Sequence, residues 1–326
     1  MNSKLIDIIC PVYNQEKNIK NFLLPFLHMD LNNVNIILID DGSTDNTPSI
    51  IDEIISVNKG VPFHYFKKNN GGAASARNYG LKIACSEYIW FCDPDDEVVV
   101  DMKYIYMILQ RSHSDIYFFN YIHYFEGKNV SISKKSLVKG CFHINDIRGT
   151  LVNHRLNIGG DLNSFLIYPW DKIIKRSVIT CPFNEKVSVY EDQLFNFQLF
   201  FSSNVNIVEF IDCEIYKYKT YKGGNSLSST WSKTKTSDFY FFINQLRDKF
   251  HLDPRNLFKR EVFYIIGKGE RAEAFKTYVN MHKDLGYKIQ PLSSKRELFK
   301  LFLMSINVYY YAINLMSLVK SKVKHG

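Results

Sequence analysis

Four short apolar runs recur along the first third of the chain: LIDIICPV (5–12), NIILID (35–40), PFHYFK (62–67) and EYIWFCD (87–93). Each reads as a short buried strand. The segments between them read as helices. Residues 15–29 form the first. Residues 47–58 form the second, with Asp45 or Thr47 as cap and Pro48 in the first turn. Residues 73–84, rich in good helix formers, make the third. Strand–helix units in series predict an α/β fold, with a mostly parallel, Rossmann-like sheet flanked by helices on both faces. Ligands of such sheets bind at the carboxyl ends of the strands, so the loops after the runs decide function.

Beyond residue 100 the pattern is looser. DIYFFNYIHYF (115–125) is a longer, more aromatic strand. GGDLNS (159–164) is a loop, and PWDKIIKRSVI (169–179) and YEDQLFNFQLFF (190–201) read as helices. VNIVEF (205–210) and EIYKYKTY (214–221) read as a pair of strands, followed by a flexible polar loop, KGGNSLSST (222–230). From 231 to 326 the pattern is helical, with breaks near Pro254 and at 286–291. The expected organisation is one α/β domain over 1–230 and a helical C-terminal region over 231–326.

The hydrophobic share of 46% supplies a real core and excludes global disorder. The six cysteines form no CxxC and no metal-ligand spacing. Cys10, Cys85 and Cys92 sit in apolar surroundings as small core residues, which points to a reducing compartment. The N-terminal apolar run is too short for a signal peptide, so a cytoplasmic protein is expected. The net charge of +8 is uneven. From Lys295 onward Arg296, Lys300, Lys320, Lys322 and Lys324 stand against Glu297 alone, around the uncharged run LFLMSINVYYYAINLMSLV (301–319). Its asparagines and tyrosines make a poor hydrocarbon span, while flanking lysines suit an interfacial helix. A membrane-associating tail on an anionic surface, peripheral on the inner face of the cell membrane, is therefore expected. A helix packed on the domain stays open.

The loop ends carry the chemistry. Strand one ends in PVYNQE, without GxGxxG, and GxxxxGK[ST] occurs nowhere, which argues against dinucleotide-binding and P-loop proteins. Strand two ends in DDGSTD (40–45) and strand four in DPDD (93–96). Carboxylates at strand ends can accept hydrogen bonds from base N–H or ribose hydroxyls. DDGSTD is equally a capped turn. In DPDD, two charges about 4 Å apart repel by roughly 4 kcal/mol at an effective dielectric of about 20. Such a cluster shifts its pKa values or recruits a hard cation such as Mn²⁺ or Mg²⁺, which in turn holds a diphosphate. A solvated helix start is the alternative. In NNGGAASARNYG (69–80), a turn leads into a helix whose Arg77 can point at the same cleft or lie on the surface.

PVYNQE, DDGSTDNT, NNGGAASARNYG and FCDPDD, in this order and spacing, resemble the family-two inverting nucleotide-sugar glycosyltransferases, which have the GT-A fold. The resemblance is strong over residues 5–100, weaker at PWDKIIKRSVI and YEDQLF, and fades beyond about residue 230. It implies a nucleotide-binding half over 1–100 and an acceptor half over 101–230. Pro11, Tyr13, Asn14 and Glu16 then frame the nucleoside, and Asp41 contacts uracil. Gly71, Gly72 and Arg77 lie near base and diphosphate. Asp93 and Asp95 form a DxD pair, with Asp95 the direct metal ligand, Asp93 facing the ribose and Asp96 assisting or facing the sugar. Asp192 is implied as catalytic base beside Glu191, with Trp170 and Asp171 by the acceptor. The implied activity is metal-dependent transfer from a UDP-sugar to a hydroxyl of a growing, lipid-linked surface glycan (capsule, O-antigen or exopolysaccharide). A nucleotidyltransferase and a non-catalytic nucleotide-sugar-binding assembly protein are the alternatives. The first lacks its basic, glycine-rich loop here. The second would not need YEDQ. A nucleic-acid partner fits the net charge but not the acidic cleft.

Overall fold

The computed structural model describes residues 4–125, 129–134, 136, 138–153, 165–220 and 233–253. The chain divides into two units, Met1–Thr230 and Trp231–Gly326. The first unit is built on one mixed sheet. Strands β1 (Ile6–Val12), β2 (Val34–Asp40), β3 (Phe63–Lys67) and β4 (Tyr88–Phe91) run parallel in the order β3-β2-β1-β4. Every residue of β1, β2 and β4 is buried, which is why these strands read as continuous apolar runs. Asp7, the one charge inside β1, is saturated. It accepts from the backbone N–H of Cys85 (2.7 Å) and Ser86 (2.9 Å), the Ser86 hydroxyl (2.6 Å) and the Asn35 amide (2.8 Å).

The helices between these strands follow the sequence with one change. Residues 15–29 hold α1 (Ile19–Leu23) and then a 3₁₀ turn (Leu24–His28), because Pro25 lacks the N–H an α-helix needs. Helix α2 (Thr47–Val57) starts where the Asp45 carboxylate accepts from the Thr47 N–H at 3.0 Å. Helix α3 (Ala73–Ile83) lies tight on β1: a Cβ at Gly80 would sit 2.4 Å from Cγ2 of Ile9. Gly80→Ala should therefore destabilise by about 1–3 kcal/mol through overpacking, against the roughly 1 kcal/mol that alanine returns in helix propensity. A urea midpoint at or above wild type would contradict that close approach.

After the two-residue β5 (Glu97–Val98) and helix α4 (Met102–Ser112) come β6 (Ile116–Phe125), β7 (Val130–Lys134), β8 (Gly140–His143) and α5 (Ile144–Asn153). The segment PWDKIIKRSVI, expected as a helix, is strand β9 (Lys172–Lys175) followed by a 3₁₀ turn (Arg176–Val178). It pairs antiparallel with β4 on one side and β6 on the other. Both faces are covered, so its apolar residues show no alternation, and their spacing at 170, 173, 174 and 178 mimics a helix. Helix α6 (Glu191–Phe200) forms as expected. The expected strand pair after it is one strand, β10 (Ile207–Thr220), with register shifts against β6 from Ile211 to Tyr216. An irregularity around Asp212 and Cys213 takes up what the sequence presents as a break.

In the second unit the described residues form α7 (Lys233–Asp248). The expected loops at 159–164 and 222–230 and the tail from 254 onward lie outside the described residues. Among the described residues no helix is long and apolar enough to cross a membrane. The six cysteines are free thiols, with Cys10 and Cys92 buried.

Candidate active site

The carboxyl ends of β1, β2 and β4 bring the motif loops to one sheet edge. The loops after β1 and β2 interlock. Asn14, in the left-handed region at φ +50°, donates its N–H to the Ser43 hydroxyl (3.0 Å) and accepts from the Thr44 N–H (2.8 Å). The Glu16 N–H donates to Asp45 (3.1 Å), and the Glu16 carboxylate accepts from the Asn46 N–H (3.2 Å). Thus Asn14 and Glu16 shape the loops. Pro11 is buried at the end of β1, and Tyr13, 47% exposed, presents its ring to solvent at the same edge.

DDGSTD is more than a cap. Asp40 accepts from the Ser43 N–H (2.8 Å) and the Tyr65 hydroxyl (2.7 Å). Asp41 is buried and pins the turn before α3. It accepts from the N–H groups of Gly71 (3.0 Å) and Gly72 (2.6 Å) and from the Lys68 ammonium. Gly72 has φ +88°, a backbone that L side chains rarely adopt. Gly42, at φ +77°, also faces Asn70 closely: a Cβ there would lie 3.0 Å from the Asn70 nitrogen.

The acidic loop is a turn rather than a helix start. Its three carboxylates point to different tasks. Asp96 is buried and accepts from the Lys219 N–H (2.8 Å). The Tyr216 hydroxyl accepts from the Asp93 N–H (2.8 Å), so β10 supports the loop from below. Asp96, implied by the resemblance to assist or to face the sugar, is turned inward onto β10. Asp95 is pushed up to about 6 by burial first and by Asp93 second. Asp96 is raised too, by burial and by Asp95 and Asp93. Burial and their mutual repulsion thus make it costly to ionise Asp95 and Asp96 together.

Arg77 is the largest departure from a surface reading. Its side chain is 4% exposed, and its guanidinium joins two motifs. One terminal nitrogen donates to Asp93 (2.9 Å) and the other to Asp192 (2.6 Å), with Glu191 at 3.5 Å. Burial disfavours the charged guanidinium, but Asp192, Asp93 and Glu191 outweigh that and hold its proton on. Glu191 and Asp192 open α6, where the helix dipole favours acids, after Tyr190 at φ +75°. Burial raises both carboxyls, with Arg77 opposing.

Trp170 and Asp171, implied by the resemblance to lie by the acceptor, are both buried. Trp170 is 2% exposed and stacks on Tyr168 and Tyr216, at centroid distances of 4.5 and 4.7 Å. Asp171 is fully buried in an ion pair with Lys172 at 2.6 Å. The β9 strand draws both into the core. Lys68, Lys172 and Tyr216 were not foreseen as supports of this edge. Lys68 directly precedes NNGG and Lys172 directly follows Asp171, but Tyr216 has no local signal in the chain.

The family model for glycosyl transferase family 2 matches residues 7–165 of the chain. The chain is 46% identical over 101 residues to an uncharacterized glycosyltransferase of Haemophilus influenzae, covering 31% of this chain and 40% of the relative. It thus spans about two fifths of that relative's length. Over 261 residues it is 27% identical to the poly(ribitol-phosphate) beta-N-acetylglucosaminyltransferase TarP of Staphylococcus aureus, covering 77% of this chain and 73% of TarP. The fold is that of S. aureus TarS 1–349 solved with UDP-GlcNAc, at a TM-score of 0.60 and 20% identity, over 92% of this chain and 78% of that one. The expected α/β, GT-A architecture is the observed one.

Proposed function

We infer that the protein is an inverting glycosyltransferase that moves a sugar from a UDP-sugar to a hydroxyl of a bacterial surface glycan. One observation carries this reading: Asp192 and the DPDD loop, 96 residues or more apart in sequence, meet on the single buried side chain of Arg77. A base and a donor loop held together are what a displacement at an anomeric carbon needs. The UDP-GlcNAc complex of TarS and the name of TarP support the donor class. A lipid-linked acceptor and a peripheral membrane position through residues 295–326 complete the reading. Deleting those residues should release the protein from membrane fractions, and unchanged fractionation would refute the anchoring.

The chemistry follows from the residues. An acceptor hydroxyl loses its proton to the Asp192 carboxylate as its oxygen attacks the anomeric carbon. The bond from that carbon to the diphosphate oxygen breaks, and UDP leaves with the electron pair. One displacement inverts the centre, so a UDP-α-sugar gives a β-linkage. Among the described residues no group of three or more His, Cys, Asp or Glu is arranged to cage a metal. The site fits a different mode, in which one or two carboxylates and the substrate phosphates hold Mn²⁺ or Mg²⁺. A cation there would offset the cost of ionising the buried Asp95 carboxyl, with Asp95 as the ligand and Asp93 beside it. Such an ion, when bound, neutralises charge on the leaving diphosphate.

Thermal shifts with UDP-, GDP- and dTDP-sugars, with and without Mn²⁺, test the donor class. A UDP-sugar should give the largest stabilisation, and a larger one with GDP- or dTDP-sugars would overturn it. The acidity of the base gives a second check. Asp192 works only when ionised, and burial raises its pKa above the ordinary value of about 3.9. Activity is therefore present above that raised pKa and lost as pH falls through it. kcat/KM should begin to fall well above about pH 4, and a profile flat down to about pH 4 would contradict the assignment.

A further inference from the structure

A buried arginine amid three carboxylates asks what it does there. It was expected near the base and diphosphate of the donor. At 4% exposure, with its terminal nitrogens on Asp93, Asp192 and Glu191, it presents almost no surface to a nucleotide. Its contacts instead join elements far apart in the chain. Asp93 follows β4, and Asp192 opens α6.

The neighbours of Arg77 make this join rigid. Asn78 grips the segment that leads to α6. Its amide nitrogen donates to the Phe183 carbonyl (3.0 Å) and to Glu185 (2.7 Å), and its amide oxygen accepts from the Phe183 N–H (2.8 Å). The Phe183 ring lies 5.4 Å from the Arg77 guanidinium carbon and stacks on Phe195 of α6 at 4.0 Å. Gly80 seats α3 against Ile9 of β1. The arginine therefore sits on a fixed helix, and both acids meet a fixed fork. A planar guanidinium can hold two carboxylates at once in set directions, whereas an ammonium is a point charge. The Nε of Arg77 is buried with no hydrogen-bond partner among the described residues, so the side chain gives up one bond to hold this pose.

We propose that Arg77 is a positioning residue that ties the Asp93 carboxylate of the acidic loop to the Asp192 carboxylate on α6, so that order in the donor loop and aim of the base are coupled through one side chain. This rests on Asp192 being the base. The coupling itself is a property of the fold and can be measured without turnover. When Asp93 is well held, Asp192 is well aimed, and the reverse.

Arg77→Lys is the sharpest test because it keeps the charge and loses the fork. In the full chain its kcat should fall on the order of 100-fold, the size expected when a reacting group is misplaced by about 1 Å. The KM for the donor and the affinity for UDP should change far less than kcat, since most of the loss lies in the transition state. Backbone amide exchange, measured without nucleotide, should speed up at residues 92–96 and at 189–194. Asp93→Asn cuts one arm only and serves if the lysine variant does not fold. It should speed exchange at 189–194, where nothing was substituted. Unchanged exchange at 189–194 in Asp93→Asn overturns the proposal. So does a folded Arg77→Lys enzyme whose loss appears in UDP affinity with kcat intact, which would make Arg77 a nucleotide ligand. Wild-type protein inert toward every sugar nucleotide, yet with coupled exchange, would instead sink the enzymatic reading and leave the coupling standing.

Discussion

Asp192→Asn will leave UDP binding intact and lower the rate of sugar transfer by about 10²–10⁴-fold, the range a positioned general base supplies. The asparagine amide oxygen can still accept from Arg77, so the 2.6 Å contact has a neutral replacement. The cation keeps Asp93 and Glu191 as counter-charges. Folding and the donor loops are thus spared, and what disappears is the ability to take a proton. Calorimetric titration with UDP and steady-state rates on the same preparation separate the two effects. A variant with full activity would remove Asp192 from the chemistry. One that fails to bind UDP would make it part of the donor site.

Asp95→Asn should give opposite signs in stability and in donor binding. The Asp95 carboxyl is pushed up to about 6 by burial and by Asp93, against an ordinary value of about 3.9. A carboxyl whose pKa is raised on folding binds its proton more tightly in the folded state. Its contribution favours folding at low pH and is lost as pH rises through that window. At neutral pH the ionised group costs about 3 kcal/mol. Asn removes that charge. The variant without metal should therefore unfold at higher urea than wild type at pH near 7, and the gap should close toward about pH 4. The same change should abolish the increase in UDP affinity that Mn²⁺ brings, and in EDTA the two proteins should bind UDP alike. Lower stability at neutral pH would show that Asp95 is structural. A retained Mn²⁺ response would place the metal elsewhere.

The sheet edge was legible in the sequence because it is written locally. Buried parallel strands give unbroken apolar runs, and the acids that end β2 and β4 stand directly after them. The roles within the edge were less legible, because they depend on direction. Three adjacent acids look alike in a string. Only the sheet shows that Asp96 turns inward to the Lys219 N–H while Asp93 meets Arg77. Asp41, read as a uracil contact, is engaged by Gly71, Gly72 and Lys68, a set of donors that fold over it from the next loop. The β9 segment misled for a related reason. A strand covered on both faces has no alternation, so PWDKIIKRSVI reads as a helix, while Trp170 and Asp171, placed by the acceptor through the resemblance, are buried. Arg77 was placed on the correct helix, but nothing in NNGGAASARNYG shows that its partners lie 16 and 115 residues away.

The anomeric configuration of the first product tests the central claim most directly. With a UDP-α-sugar donor, proton NMR of the product formed in early turnover should show a β-linkage, as one displacement assisted by Asp192 requires. An α-linked product would mean retention, and with it a mechanism in which Asp192 is not the base of a single inversion.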